Sequence, residues 1–338
     1  MTDPVEIRGY RTGDEHSLLT AYNKAFATAD GKIKPRSMDH WRWKYLDNPT
    51  GQVHIALAHH REHGVVGSYA TLPLRVWIKG EQRICGHSID LFVLPEWRRH
   101  GARPGLFVHC GQKHSEIYGG RATGQMEFSY GWAVPNWRIG QKYLNYENIR
   151  DWDFLFREVP TGGFPVRNIS TGLTVGEVSR FGADVDALWD QEKQTLPMAV
   201  VRDSAYLNWR YACAHDRKYR LFECREKNTG KLRGICVYTQ CDFLFPNTAF
   251  LVDWLCPVDD DATMVAMVAV AEQTANTGGV NALATLFPQL DPRFLKFQRI
   301  GFMVLGTSYF LVTASIVDRG TLFYREQWYH TCGDSDLV

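Results

Sequence analysis

The sequence lacks any apolar run that approaches the roughly 20 residues of a membrane-spanning helix. Its first residues, MTDPVEIRGY, are polar and contain no apolar core of signal-peptide length. An excess of one charge is missing too, since 38 lysines and arginines face 37 aspartates and glutamates for a formal net charge of +1. Such a chain has no overall attraction for nucleic acid or for a membrane surface. We expect a cytoplasmic protein that neither inserts into a membrane nor binds nucleic acid.

Paired cysteine motifs are also missing. The eight cysteines include no C-x-x-C pair, and most stand in apolar segments such as RLFEC and VDWLC. Zinc sites depend on closely spaced cysteines, whereas scattered cysteines in apolar segments behave as small core residues. We therefore expect no bound metal.

The 338 residues are many for a single hydrophobic core and favour two domains. An internal repeat agrees with this. The stretch HWRWKYLDNPTGQVHIALA (40–58) resembles LNWRYACAHDRKYRLFEC (207–224), and Trp43 corresponds to Trp209, 166 residues further along. A repeat of this length indicates a duplicated domain. We expect both tryptophans to be buried in equivalent helices.

The two copies are separated by PTGGFPVRNISTG, which is rich in glycine, proline, serine and threonine. The last segment, FYREQWYHTCGDSDLV, carries four large aromatic rings, unlike a disordered terminus. The predicted organisation is an N-terminal domain over 1–159, a linker over 160–172, a C-terminal domain over 173–315, and a docked tail over 316–338.

The first copy shows a clear order of elements. Runs rich in β-branched and aromatic residues predict strands, and runs with helical spacing predict helices. The predicted strands are VEIRGYR, QVHIALA, GVVGSYATLPLRVWI, ICGHSIDLFVL, MEFSYGW and IRDWDFLF, and the predicted helices are SLLTAYNKAF, MDHWRWKYL, RPGLFVHCGQKHSEIYG and PNWRIGQKYL. Short turns early and helical crossovers later predict an α+β fold, with a mixed, mostly antiparallel sheet flanked by helices.

One stretch, VLPEWRRHGARPGLF (93–107), has an unusual concentration of positive charge. An apolar strand ends, Arg98, Arg99 and Arg103 surround Gly101, and a helix follows. A helix N-terminus offers free backbone N–H groups and the positive end of its dipole, so this layout is typical of a phosphate site. The alternative is a solvated basic turn that only begins a helix.

Two motifs in this region carry a family resemblance. The pattern V-x-P-x-[YW]-R-x-x-G-x-[GA] is matched, with Arg103 where glycine or alanine is usual, at Val93, Pro95, Trp97, Arg98 and Gly101. A later stretch contains Pro135-Asn136 and then Leu144-Asn145-Tyr146, in which Asn145 replaces a glycine. In this order the motifs resemble those of the GNAT-fold N-acyltransferases. With the repeat, the resemblance covers most of the chain as a tandem GNAT protein.

The resemblance implies an acyl-CoA-dependent transfer, with acetyl-CoA or another acyl-CoA as co-substrate and a small amine or amino sugar as acceptor. Backbone amides of the fourth strand would stabilise the oxyanion. The residues that the resemblance and the charge pattern together assign to acyl-CoA are Phe92, Val93, Arg98, Arg99, His100, Gly101, Ala102, Arg103, Gly105 and Asn136.

Relatives of this fold often use a tyrosine in the later helix to protonate the leaving thiolate. Counting from Asn136 gives Tyr143, whereas counting back from Leu144 gives Gln141, because the segment is two residues short of the usual pattern. Tyr143 is the predicted acid, and a core aromatic residue is the alternative.

A general base must take a proton from the attacking amine. His87 and Asp90 on the fourth strand are the candidates, and Glu127 is a further one. Asp90 has a counterpart in the second copy, Asp253, which favours a structural role for both.

The second copy has a different sequence at the position of the basic turn. There PVDDDATMVAMVAVAEQ places Asp259, Asp260 and Asp261 before the helix. Three carboxylates would repel a pyrophosphate, so only the N-terminal copy is expected to bind CoA. The tail carboxylates of Asp334 and Asp336 are candidates to bind a cationic amine acceptor, and the alternative is a docked tail whose acidic end is only solvated.

Two other functions stay open. One is a catalytically inactive tandem module that binds a ligand or partner. The other is an aminoacyltransferase similar to the Fem-type cell-wall enzymes, which also pair two GNAT-like domains and use charged tRNA. The sequence shows no dense basic helical arm that would hold tRNA.

The first prediction concerns Gly101. A Gly101→Asp variant adds a negative charge and a Cβ to the basic turn, so we expect it to lose thermal stabilisation by acyl-CoA while its own melting temperature changes little. Unchanged stabilisation by acyl-CoA would contradict the assignment of residues 98–103 to the phosphates.

Overall fold

The computed structural model describes residues 5–26, 34–99, 103–132, 137–215 and 217–338. The chain forms two compact units. The first comprises Met1–Val76, Gln82–Arg150 and Phe310–Leu322, and the second comprises Trp77–Glu81, Asp151–Tyr309 and Phe323–Val338. Each unit thus includes segments from both halves of the sequence, and the boundaries at 159 and 173 stay a prediction.

The first half of the chain contains β1 (Val5–Gly9), α1 (Glu15–Phe26), α2 (Met38–Tyr45), β2 (His54–His60), β3 (Gly64–Ile78), β4 (Glu81–Val93), α3 (Leu106–Tyr118), β5 (Met126–Trp132), α4 (Trp137–Tyr143) and β6 (Tyr146–Glu158). Each element predicted from the sequence of this half is present. The differences are confined to the ends of the elements; for example, α1, β4 and β6 are longer than predicted, and α3 is shorter.

The second half contains β7 (Leu173–Val178), α5 (Asp184–Glu192), β8 (Met198–Val200), α6 (Ser204–Leu207), β9 (Arg220–Glu226), β10 (Leu232–Phe243), β11 (Phe245–Leu255), α7 (Asp261–Gly278), β12 (Ala282–Thr285), α8 (Pro292–Arg299), β13 (Met303–Ser315), α9 (Thr321–Gln327) and β14 (Trp328–Tyr329). A π-helical turn, Asn208–Ala212, continues α6. None of the helices in the described parts of the chain combines the length and the apolar character that a membrane span requires.

The strand order of the two units follows one scheme. In the first unit the order is β1-β2-β3-β4-β5, and in the second it is β7-β9-β10-β11-β12. The fourth and fifth strands of each series, β4 with β5 and β11 with β12, pair in parallel. An antiparallel strand then follows, formed by the end of β13 on β5 and by the end of β6 on β12. The predicted α+β class, with a mixed and mostly antiparallel sheet, is confirmed.

The repeated tryptophans lie in equivalent places. Trp43 in α2 is 5% exposed and Trp209, which follows α6, is 6% exposed, so their predicted burial is confirmed. Burial of a tryptophan of this size contributes about 4–6 kcal/mol of transfer free energy. The N-caps are equivalent as well, because Ser37 accepts a hydrogen bond from the His40 N–H and Asp203 accepts one from the Tyr206 N–H.

The segment 160–172 is attached to the second unit. Phe164 is 3% exposed and its backbone N–H donates to Asn276 Oδ1 at 2.8 Å. Arg167 Nε donates to the buried Glu272 carboxylate at 2.6 Å. A segment rich in turn residues is therefore held to α7 by hydrogen bonds between the Phe164 backbone and Asn276 and by an ion pair.

The end of the chain is buried in the second unit. Trp328 and Tyr329 are each 3% exposed, and β14 pairs in parallel with β8. Asp334 is 1% exposed, and its Oδ2 accepts a hydrogen bond from Arg202 Nη2 at 2.7 Å. The expectation that Asp334 meets an acceptor is therefore wrong, because a carboxylate enclosed with an arginine in the core is closed to ligands. Asp336 is exposed and makes none of the described ion pairs.

The second prediction compares these two aspartates. Asp334→Ala removes a buried ion-pair partner of Arg202 and is expected to lower the free energy of unfolding by about 3 kcal/mol. The matched change Asp336→Ala removes the same charge from an exposed position and should cost less than about 0.5 kcal/mol. Urea unfolding followed by tryptophan fluorescence measures both, and equal losses would contradict the structural role of Asp334.

Candidate functional site

The parallel strands β4 and β5 part before β4 ends. Their pairing runs from Ile84 opposite Met126 to His87 opposite Tyr130, and β4 continues for six more residues to Val93. The other edge of β5 is paired with β13 over Leu311–Ser315. Where two parallel strands part, backbone N–H and C=O groups on the facing edges become available to an extended ligand.

The end of β4 leads into the basic turn. The Leu94 N–H donates to Val66 O at 2.9 Å, a single helical turn follows at Pro95–Trp97, and Arg98 Nε donates to Val93 O at 3.3 Å. Gly105, in an extended conformation, precedes the first residue of α3. Four residues with predicted binding roles lie outside the described residues, namely His100, Gly101, Ala102 and Asn136.

The charges at the start of α3 are unbalanced. Arg98, Arg99 and Arg103 are exposed, and within the described residues no carboxylate pairs with them. The nearby Glu96 is paired with Lys24 instead. Three arginines beside the N-terminus of a 13-residue helix create a positive potential suited to a phosphate group.

The start of α7 in the second unit has the opposite character. Asp260 caps this helix by accepting the Thr263 N–H at 3.0 Å and also pairs with Arg233 Nη2 at 2.6 Å. The local sequence contains no cation, but β10 brings Arg233 to this point, and Asp260 neutralises it. The position that would receive a phosphate is therefore filled by a carboxylate and its own partner.

Asn145 explains how the second motif tolerates the loss of a glycine. Its φ is +57°, in the left-handed region where glycine is favoured and asparagine is the best-tolerated alternative. The next residue, Tyr146, packs its ring against Gly140, where an added Cβ would lie 2.2 Å from the ring. The turn therefore has the geometry that the usual glycine would give.

A pair of tyrosine hydroxyls lies beside the parting strands. The hydroxyl oxygens of Tyr69 on β3 and Tyr146 on β6 are 2.5 Å apart. Burial raises the pKa of Tyr69 to about 12, and hydrogen bonds with Tyr146, Ser88 and Ser129 lower it in part. Burial also raises the pKa of Tyr146 well above its usual value, and the Tyr69 hydroxyl adds to this. Both hydroxyls are protonated at neutral pH and can donate.

This pair is close to the place where β4 and β5 part. Ser129 on β5 lies opposite Gly86, Ser88 follows the last paired residue of β4, and an added Cβ on Gly131 would meet the Ser88 Cβ at 3.3 Å. The sequence placed Tyr146 in a motif but gave no sign of Tyr69, which lies 77 residues away along the chain.

Tyr143, the predicted acid, is the last residue of α4. Its side chain is 41% exposed, and the Lys142 ammonium lies 5.1 Å from the centre of its ring. Its role as an acid stays a prediction.

His87 and Glu127 are both enclosed. His87 is 5% exposed, and its ring stacks on Tyr130 with the centroids 4.8 Å apart and the planes 8° from parallel. Glu127 is 4% exposed and is bound by Arg319 Nε at 2.9 Å and by Arg83 Nε at 3.2 Å. Two arginines on one carboxylate make Glu127 an anchor between segments of the first unit.

Asp90 is the centre of an ion cluster. Its Oδ2 accepts hydrogen bonds from Arg36 Nη1 and from the Tyr45 hydroxyl, each at 2.6 Å, and Lys44 Nζ lies 3.5 Å away. Burial alone would raise the pKa of Asp90, but Lys44, Arg36 and the Tyr45 hydroxyl together hold the pKa well below its usual value. A carboxylate that is so weakly basic is a poor proton acceptor, so the candidate base role of Asp90 is not supported.

The second unit repeats this cluster. The carboxylate of Asp253 accepts hydrogen bonds from Arg202 Nε at 2.8 Å and from the Tyr211 hydroxyl at 2.6 Å. Arg202 and Tyr211 each lie 166 residues after Arg36 and Tyr45. The sequence indicated the two aspartates and the aromatic residues, but the two arginines were missed because each stands alone before a helix cap.

Taken together, the strand scheme, the parting of β4 from β5 and the helix that follows define the GNAT fold of N-acyltransferases, as the sequence motifs indicated. Searches of known structures agree. A conserved protein of unknown function from Enterococcus faecalis V583, described as a probable N-acyltransferase, matches with a TM-score of 0.67 and 11% identity, over 93% of this chain and 73% of that one.

A GCN5-related N-acetyltransferase from Anabaena variabilis ATCC 29413 matches with a TM-score of 0.65 and 16% identity, over 95% of this chain and 75% of that one. The N-myristoyltransferase of Saccharomyces cerevisiae with bound myristoyl-CoA matches with a TM-score of 0.56 and 10% identity, over 93% and 79% of the two chains. No family model and no curated protein matches the sequence.

Proposed function

We propose that this chain is an acyl-CoA-dependent N-acyltransferase that acylates a small amine and binds CoA only in its N-terminal copy. The observation that carries the proposal is the pair β4–β5, which parts after His87 and Tyr130 and leads into the exposed arginines before α3. The similar structures include acyltransferases of two kinds, one named an N-acetyltransferase and one holding myristoyl-CoA. Acetyl is one candidate for the acyl group.

The described residues fit a CoA pyrophosphate. Arg98, Arg99 and Arg103 would bind its oxygens together with the backbone N–H groups at the start of α3. Each charge-assisted hydrogen bond of this kind contributes about 1.5–3 kcal/mol. The second copy lacks such a site because Asp260 and Arg233 neutralise each other at the equivalent helix.

When bound, acyl-CoA supplies a thioester carbon that an amine can attack with release of a thiol. The backbone amides of Phe92 and Val93 would donate to the thioester oxygen as it becomes negative. Tyr146, protonated and beside the parting strands, would give its proton to the leaving thiolate. Its proton could be replaced through the Tyr69 hydroxyl, which lies 2.5 Å away.

The third prediction tests the phosphate site. Arg98→Glu reverses a charge at the start of α3 and should weaken acyl-CoA binding at least tenfold, as measured by isothermal titration calorimetry. Arg121→Glu makes the same change beyond the other end of α3, roughly 20 Å away along a helix of this length, and should leave the dissociation constant within about twofold. Equal effects of the two variants would contradict the site.

The fourth prediction tests the proton donor. Tyr146→Phe removes only a hydroxyl and is expected to lower kcat at least tenfold while acyl-CoA binds as in the parent protein. Tyr143→Phe is the matched control, with an expected change below threefold. If Tyr143→Phe loses more kcat than Tyr146→Phe, then Tyr143 is the residue that protonates the leaving thiolate. Unchanged kcat in both variants would exclude either tyrosine as the acid.

A further inference from the structure

Only one nitrogen of the Arg36 guanidinium makes a described hydrogen bond. Its Nη1 donates to Asp90 Oδ2 at 2.6 Å, and its Cζ lies 4.0 Å from the centre of the Tyr22 ring. Within the described residues, Nε and Nη2 make no hydrogen bond. The side chain is 20% exposed, so the guanidinium is not fully enclosed.

In the second unit, all three nitrogens of its counterpart, Arg202, donate hydrogen bonds. Arg202 Nε donates to Asp253, Nη1 donates to Val200 O at 3.0 Å, and Nη2 donates to Thr331 Oγ1 at 3.0 Å and to Asp334 Oδ2 at 2.7 Å. Its side chain is 0% exposed. Each arginine directly precedes the N-cap of its helix, so the two begin from equivalent backbone positions.

The comparison shows what the first cluster lacks. In the second unit, Arg202 lies between two carboxylates, those of Asp253 and Asp334. In the first unit, the described ion pair of Arg36 is with Asp90 alone. A partly exposed guanidinium of which only Nη1 makes a described side-chain hydrogen bond favours a bound carboxylate, which can accept from two donors at once.

The cluster is close to the proposed reaction centre. Asp90 precedes Phe92 and Val93 by two and three residues on β4, a distance of about 7–10 Å along a strand. The Phe92 ring also meets the Tyr22 ring edge-on, with centroids 6.5 Å apart, and Tyr22 is the ring over which the Arg36 guanidinium lies. A small molecule held at Arg36 can therefore reach the thioester with another of its groups.

We propose that Arg36 binds a carboxylate of the acceptor, which takes the place beside Arg36 that the Asp334 carboxylate takes beside Arg202. This inference rests on the proposed function and narrows its acceptor to amines that carry a carboxylate, namely amino acids or short peptides. The positive charge of Arg36 favours the neutral form of an acceptor amine held near it, which is the form that attacks a thioester.

The test uses the full-length protein and two amine pools, the twenty protein amino acids as free acids and the same amino acids as C-terminal amides. Acylated products are measured by mass spectrometry, and melting temperatures are measured with each pool. The variants are Arg36→Met, Arg36→Lys and the control Arg42→Met, which removes an exposed arginine from α2, the helix that follows Arg36.

The parent protein and Arg42→Met should acylate the free acids at least tenfold faster than the amides. Arg36→Met should bring this ratio close to one, and Arg36→Lys should reduce it by about threefold because a lysine keeps the charge without the paired donors. If Arg36→Met does not fold, the Arg36→Lys ratio decides. A ratio near one in the parent protein, or an unchanged ratio in the Arg36 variants, overturns the proposal.

Melting temperatures separate this proposal from the proposed function. Equal rates of acyl transfer to the free acids and to the amides would support the N-acyltransferase function and show that the acceptor needs no carboxylate. Stabilisation by the free-acid pool alone, lost in Arg36→Met but without any acyl transfer, supports the carboxylate site and counts against the enzyme.

Discussion

A carboxylate buried on a central strand must be neutralised, and both copies of this chain meet that requirement in the same way. Asp90 and Asp253 are each bound by an arginine from the residue before a helix cap and by a tyrosine from that helix. The ion cluster fixes the helix to the strand, and removal of one partner from such a buried cluster costs several kcal/mol. In both copies this contact occurs together with an N-capped helix start and a buried tryptophan.

The two copies differ in the side chains that surround the arginine of this ion cluster. The second copy receives Asp334 from the end of the chain and encloses Arg202 completely. In the first copy Arg36 is partly exposed, and its Nε and Nη2 make no side-chain hydrogen bond with the described residues. The charges at the helix starts differ as well. Exposed arginines precede α3, whereas Asp260 at the start of α7 is paired with Arg233. Side chains of copy two therefore occupy the two points at which we propose that copy one receives a ligand.

Much of this fold could be predicted from the sequence, because strands and helices with strong periodicity form locally. The elements of the first half, the burial of Trp43 and the equivalence of Asp90 with Asp253 were all evident. The residues of the candidate site were harder to predict from the sequence. The hydroxyl pair joins residues 77 positions apart, and Arg36 stands in no motif. Acidic residues near a terminus suggested an acceptor site, but only the folded chain shows that Asp334 is buried against Arg202.

The central claim is that one copy, and not two, binds acyl-CoA. The number of CoA molecules bound per chain at saturation, measured by equilibrium dialysis with radiolabelled acetyl-CoA, tests this claim most directly. We predict one molecule per chain. Two molecules would contradict the closure of the second copy, and none, with acetyl-CoA and with longer acyl-CoAs, would contradict the proposed function.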